Sequence, residues 1–128
     1  MPRAKAPEDI SRLIGEAITS GDMDAALSLY EPDATFAMPT AFGEGSVTGF
    51  DGLREAFKGF LAMSPELKVN AEKTLLSGDT ALVIGNWTLK GRDEEGNDTD
   101  ASGRYADVVR RQPDGSWLFV IDNPNGSD

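Results

Sequence analysis

A chain of 128 residues suffices for one domain with its own core and falls short of two. It contains no cysteine and no histidine, which excludes disulfides, thiolate nucleophiles, histidine-based triads and the commonest zinc and iron ligand sets. Acid–base chemistry is left to carboxylates, tyrosine or lysine. A formal net charge of -10 at pH 7 speaks against a phosphate backbone or an anionic membrane surface as partner. No apolar run reaches the ~18 residues of a membrane span. The opening Met1-Pro2-Arg3-Ala4-Lys5 lacks the apolar segment of a signal peptide, so a cytoplasmic protein is expected.

Residues 1–6 read as a disordered start. Pro7, Glu8 and Asp9 suit a helix N-terminus. Ile10, Leu13, Ile14, Ala17 and Ile18 then recur at the spacing of one helix face, closed by Gly21. Asp22 caps a second, short helix with Met23, Ala26, Leu27 and Tyr30 as apolar members and Pro32 as its stop. Ala34–Met38 reads as a strand ended by Pro39. Thr40–Gly49 is loop, with a short strand around Val47. Its Gly43-Glu44-Gly45 lacks the lysine and the strand–loop–helix setting of a phosphate cradle. A third helix runs from about Asp51 to Met63 on Leu53, Ala56, Phe57, Phe60 and Leu61. Leu67–Leu76 is a further strand.

The strongest signal is a run of three strands, Ala81–Leu89, Ser102–Arg111 and Trp117–Asp122, rich in β-branched and aromatic residues. Gln112–Ser116 supplies a tight turn, so the last two strands are antiparallel. The acidic segment Gly91–Asp100 reads as a solvated hairpin tip. It fails the calcium-loop pattern, because Ser102 stands where a glutamate is required. Residues 123–128 read as a frayed tail. The whole chain, 1–128, is thus one α+β domain: helices segregated from a mainly antiparallel run of strands, forming a cone with one open end.

Period two places Leu82, Ile84, Asn86 and Thr88 on one face, and Val83, Gly85, Trp87 and Leu89 on the other. Along the last strand, Leu118, Val120 and Asp122 oppose Trp117, Phe119 and Ile121. Both faces are apolar, so both need cover. Val83, Trp87, Phe119 and Ile121 are assigned to the outer face, with a second copy of the chain as the cover, a homodimer.

Gly21-Asp22-Met23-Asp24, Leu29 to Phe36, Val47-Thr48-Gly49 and Asp107-Val108-Val109-Arg110-Arg111 before Gly115-Ser116-Trp117 resemble the nuclear-transport-factor-2-like superfamily. The nearest likeness is to its bacterial SnoaL-like and ketosteroid-isomerase-like members, over residues 8–123. The resemblance implies a cystatin-like cone: three N-terminal helices on a strongly curved sheet of four to six strands. It does not choose among isomerases, dehydratases, cyclases, epoxide hydrolases and non-enzymatic association domains. Ketosteroid isomerase uses an aspartate base with an oxyanion hole of tyrosine and protonated aspartate. On that resemblance Met38 falls at the base, Ile14 at the tyrosine and Asp107 at the protonated acid. The epoxide hydrolases' Asp-Arg-Asp set has its residue types in Arg104, Asp107 and Asp122, but a three-residue spacing puts Arg104 and Asp107 on opposite strand faces.

Asp107, between Ala106 and Val108 in an apolar strand, is the candidate catalytic acid. The blander reading pairs it with Arg104, Arg110 or a neighbouring strand. The resemblance turns Asn86 and Asp122 toward the same cavity, with Tyr30, Phe36, Met38 and Tyr105 as its walls; Asp122 could equally cap a strand end in solvent. The expected function is small-molecule binding with isomerase-, lyase- or cyclase-type proton chemistry, or else a non-catalytic dimerisation or ligand-binding module with a vestigial pocket. No cofactor, metal, nucleic acid or membrane partner is expected.

Overall fold

The computed structural model describes residues 2–126. Helix α1, Asp9–Ser20, buries Ile10, Ile14, Ala17 and Ile18. It ends where Gly21 turns left-handed (φ 74°), letting Gly21 N–H reach Ile18 O (3.1 Å) and Asp22 N–H reach Ala17 O (3.0 Å). The Asp22 carboxylate accepts from Ala25 N–H (3.0 Å) and caps α2, Met23–Leu27, a single turn. Two of the three expected helices are therefore full length and one is vestigial. Pro32 does not stop α2. It lies within strand β1, Tyr30–Ala37, where pairing with the next strand shifts register between Tyr30 and Thr35, as a residue without N–H requires.

After β2, Ser46–Thr48, and α3, Gly49–Ala62, come β3 Glu66–Ser77, β4 Thr80–Arg92, β5 Asp98–Arg111 and β6 Trp117–Asp122. They form one six-stranded sheet in the order β2-β1-β6-β5-β4-β3. Every neighbouring pair is antiparallel except β1 with β6. Helix α1 packs on β3, and α3 on β1 and β2, so both helices lie against the concave face. Among the described residues no helix is long and apolar enough to cross a membrane. The acidic β4–β5 tip is shorter than the sequence implies, Asp93–Asn97, held by the Asp93 carboxylate accepting from Glu95 and Asn97 N–H (2.9 Å each).

The two sheet faces are the reverse of the sequence-based assignment. Val83, Trp87, Phe119 and Trp117 are buried within the chain, and of the assigned outer set only Ile121 is exposed. Periodicity sorted β4 into two apolar sets without saying which is inward. The bulkier set, carrying Trp87 and Leu89, goes under the helices, and Leu82, Ile84, Asn86 and Thr88 go outward. Gly85 belongs to the inner set for steric reasons: a Cβ there would lie 2.0 Å from Asn70 O and 2.7 Å from the Tyr105 ring.

Both ends expected to be loose are packed. Ala4 is fully buried and its carbonyl accepts from Trp117 N–H (2.9 Å). Asn123–Gly126 folds back over the sheet: Asn123 O takes Ala106 N–H (3.0 Å), Pro124 O takes the Trp87 indole N–H (2.7 Å), and Asn125 Nδ2 donates to Met38 O (2.9 Å). Met1, Ser127 and Asp128, also assigned to tails, lie outside the described residues.

Candidate functional site

Helices α1 and α3 and the concave sheet face enclose a cavity of about 80 Å³. Its wall is aromatic because α3 presents Phe57 and Phe60 four-fifths of a turn apart toward β1. Phe36 meets Phe57 edge-on (5.6 Å between ring centres) and Phe60 likewise (6.0 Å). Phe42, from the loop after β1, meets Phe60 (5.7 Å). Tyr30 stacks against Phe57 and Phe119. No lysine or arginine contributes to the lining.

The polar groups converge where β5 and β6 pair. Asp107 comes from β5, in register with Val83, so it shares the inner face with Tyr105 and Val109. Asp122 arrives by an irregularity. Val108 pairs with Ile121 and Val109 with Phe119, so one step along β5 matches two along β6 and Val120 is the extra residue of a bulge. Strict alternation would put Asp122 opposite Phe119; the bulge returns it to Phe119's side.

Asp107 is 4% exposed and Asp122 9%, and among the described residues neither forms a salt bridge. Asp107 Oδ1 accepts from Asn123 N–H (2.8 Å). Asp122 accepts from the Tyr30 hydroxyl and shares a hydrogen bond with Asp107. Burial, reinforced by the charge of Asp122, holds the Asp107 carboxyl well above the usual carboxylate range. Burial also lifts Asp122, to about 6, against the downward pull of the bonds from Tyr30 and Asp107. Two carboxyls this close do not both ionise. Burial therefore favours a proton held between Asp107 and the Asp122 carboxylate over two charges side by side. Burial and the Asp122 charge raise the Tyr30 phenol well above 10.0. Tyr105 is pushed up to about 12 by burial and its hydroxyl pairs with Ser11 Oγ (2.7 Å).

The structure brings together Asp107, Asp122, Tyr30, Phe36 and Tyr105 at the cavity. Asn86 is a correction. It sits on the opposite face, donating to Glu72 (3.0 Å), because Arg104, not Asp107, is its partner across β5. Met38 is a second: its side chain lies against Gly43 and does not line the cavity. Ile14 does line it. Of the Asp-Arg-Asp types, the two aspartates meet, whereas Arg104 faces outward and pairs with Glu72 (3.1 Å). Tyr30 does more than form a wall, since its hydroxyl holds Asp122. Nothing in the sequence marks that contact across 92 residues, nor the Asn123 amide that holds Asp107. Among the described residues no three metal-ligating side chains converge.

A cone of helices on a curved six-stranded sheet, with acid groups at the base of an apolar cavity, defines the cystatin-like fold of the nuclear-transport-factor-2-like superfamily. Within it, the chain belongs to the SnoaL-like domain family, whose model matches residues 10–120. It is similar in structure to a nuclear transport factor 2-like superfamily protein of Salmonella enterica serovar Typhimurium (TM-score 0.78, 18% identity, covering 91% of this chain and 84% of that one). A protein of Novosphingobium aromaticivorans, provisionally named an aromatic ring hydroxylase, matches with TM-score 0.76 and 26% identity, over 89% of this chain and 81% of that one. A ketosteroid isomerase-like protein of Erwinia carotovora matches with TM-score 0.74 and 19% identity, over 90% and 88%. No curated protein matches the chain in sequence.

Proposed function

We propose that the cavity binds a small, mostly apolar molecule and that Asp122 and Asp107 run isomerase-, lyase- or cyclase-type proton chemistry on it. The observation that carries this reading is the pair of carboxyls, Asp107 and Asp122, both buried and both lining one apolar cavity. A base near pKa 6 is mostly ionised at neutral pH yet still basic enough to take a proton in a transition state. As Asp122 gains the substrate's proton it becomes a poor acceptor, which frees the Asp107 and Tyr30 hydroxyls to donate to an oxygen gaining negative charge. The proton enters at Asp122 from the substrate's carbon, and Asp107 gives its own proton to the substrate's oxygen or to a second carbon of it, so the pair again holds one proton and the substrate has neither gained nor lost one. The alternative, a non-catalytic binding module, is favoured by Met38 lying off the cavity and Ile14 lacking a hydroxyl.

Saturation-transfer NMR with short-chain and monocyclic compounds tests the binding, and Ile14→Phe, which fills the cavity, should abolish every hit. Hits that survive Ile14→Phe would place binding elsewhere. Incubating hits in D₂O then separates the two readings. Carbon-bound deuterium that disappears with Asp122→Asn supports proton chemistry; binding without exchange leaves the non-catalytic module.

The partner proposed for the outer sheet face remains a second copy of the chain, on a corrected set of residues. Leu75, Leu82, Val108 and Ile121 pair in one row across β3, β4, β5 and β6 on the face turned from the helices. Leu75 is 49% exposed and Ile121 42%. A twofold contact centred on that row offers the ~800 Å² per partner of a standard interface.

A further inference from the structure

We infer that the polar group of the cavity's ligand is a hydrogen-bond donor bearing positive charge: a small hydrophobic amine, bound as its ammonium against Asp122 with its carbon body among the aromatic rings. The inference rests on the small-molecule binding part of the reading above and narrows the ligand class of its non-catalytic form, since an ammonium seated on Asp122 occupies the carboxylate that would act as base.

It follows from which hydrogen-bonding positions are already taken. Each polar side chain lining the cavity is already in a hydrogen bond. The Tyr30 hydroxyl donates to Asp122. Asp107 spends its proton on the same carboxylate. The Trp87 indole N–H goes to Pro124 O (2.7 Å), and the Tyr105 hydroxyl is paired with Ser11 (2.7 Å). A ligand carbonyl placed beside Asp122 must therefore pull a donor away from that buried carboxylate, leaving its charge short of bonds. Acceptor capacity, by contrast, remains. A carboxylate has about four lone-pair sites, and Asp122 has used two. A donor adds a bond and breaks none.

Charge then selects among donors. Asp122 accepts the Tyr30 hydroxyl inside a wall to which, among the described residues, no lysine or arginine contributes, and the chain as a whole carries -10. Tyr30, Phe36, Phe57, Phe60, Trp87 and Tyr105 surround the space. Ring faces of this kind attract an organic cation and give an anion nothing. A neutral alcohol would use the hydrogen bond but neither the charge nor the rings. Size sets the carbon body. The cavity of about 80 Å³ is roughly half the ~150 Å³ apolar cavity that holds benzene, which corresponds to a short branched chain.

The test compares isobutylamine, isobutanol and 3-methyl-2-butanone, which match in shape and differ in polar group. Affinities are measured at pH 7 by calorimetry on the full chain, in two buffers of different ionisation enthalpy. The amine should bind at least tenfold tighter than the alcohol, and the ketone weakest of the three. Asp122→Asn should erase the amine's advantage. The Asp122→Asn protein should keep the wild-type circular dichroism and still bind isobutanol, which guards against reading misfolding as loss of charge. A ketone that binds as well as the amine would overturn the inference while leaving the cavity a small-molecule site. If none of the three binds, and Ile14→Phe changes nothing in the spectra of the mixtures, the small-molecule reading itself falls.

Discussion

Raising the pH from 4 to 7.5 should weaken the fold through its aspartate pair. An unfolded Asp122 ionises near 3.8 and the folded one near 6; that gap corresponds to about 3 kcal/mol. The sign follows from proton counting. Between those two values the unfolded chain has released its proton while the folded chain still holds it. Stability is therefore full below about pH 4 and falls as the pH rises, with the share of Asp122 fully lost by a little above 6. Asp107, also raised by burial, holds its proton in the fold while the unfolded chain releases it, so it adds loss of the same sign from about pH 4 upward. Asp93 and Asp114 are held below their ordinary value by turn hydrogen bonds, so their contribution is present above about pH 4 and vanishes only below it. The window from 4 to 6 thus isolates the pair. The assay is urea unfolding followed by the fluorescence of Trp87 and Trp117, both core residues. The double variant D107N/D122N serves as reference, because amides of the same shape do not titrate. At a typical slope of about 2 kcal/mol per molar urea, the wild-type midpoint should fall by at least about 1.5 M relative to the variant between pH 4 and 7, the share of Asp122 alone. A wild type that runs parallel to the variant, or gains on it, would refute the shared proton. It would mean that both carboxylates are ionised and compensated in the fold.

Three further outcomes follow from the packing. Gly85→Ala should cost about 3 kcal/mol or prevent folding, because its Cβ would press on backbone, Asn70 O at 2.0 Å; thermal unfolding should show a Tm roughly 10 °C lower. Trp87→Lys should unfold the chain, since that side chain is interior, whereas Val108→Lys should leave the circular dichroism unchanged and convert a dimer to monomer in sedimentation at micromolar concentration; a wild type that sediments as a monomer would sink the proposed dimer. An unsaturated ketosteroid should not turn over above buffer, because four fused rings exceed a cavity of about 80 Å³ and Ile14 offers no hydroxyl to an enolate. Turnover abolished by Asp122→Asn would show that the cavity opens far wider than its resting shape and that Asp122 serves as the base.

The elements were legible wherever a local rule operates. The spacing Ile10-Ile14-Ala17-Ile18, the left-handed Gly21 and the Asp22 cap mark α1 and α2, and the three β-branched runs mark β4 to β6. What failed needed tertiary information. Pro32 reads as a helix stop, yet β1 accommodates it by shifting register. The ends read as loose because Ala4 and Asn123–Gly126 lack periodicity, while their order comes from bonds to Trp117, Ala106, Trp87 and Met38. Leucine-rich strands with two apolar faces give no inside and outside. Only helices laid on one face decide that Val83 and Trp87 are core and that Leu82 and Val108 are surface.

The site was legible in half for the same reason. Asp107 betrays itself as a charge embedded in an apolar alternating strand, and the structure buries it on the cavity side with Tyr105 and Val109. Asn86 was carried to the wrong face by an argument that tied it to Asp107, and the β4–β5 register separates them by three residues. Asp122 reached the right place although the period-two rule that put it opposite Phe119 does not hold: Val120 bulges and resets the alternation. That irregularity does chemical work. It breaks the ladder beside Asp107, sets the second carboxyl against the first, and leaves the Asn123 amide free of strand pairing to bond Asp107 (2.8 Å). A regular β6 would turn Asp122 into the outer apolar row and leave Asp107 alone in the cavity, a single neutral acid with no base beside it. The feature hardest to read from the sequence is thus the one on which a proton-transferring pair depends.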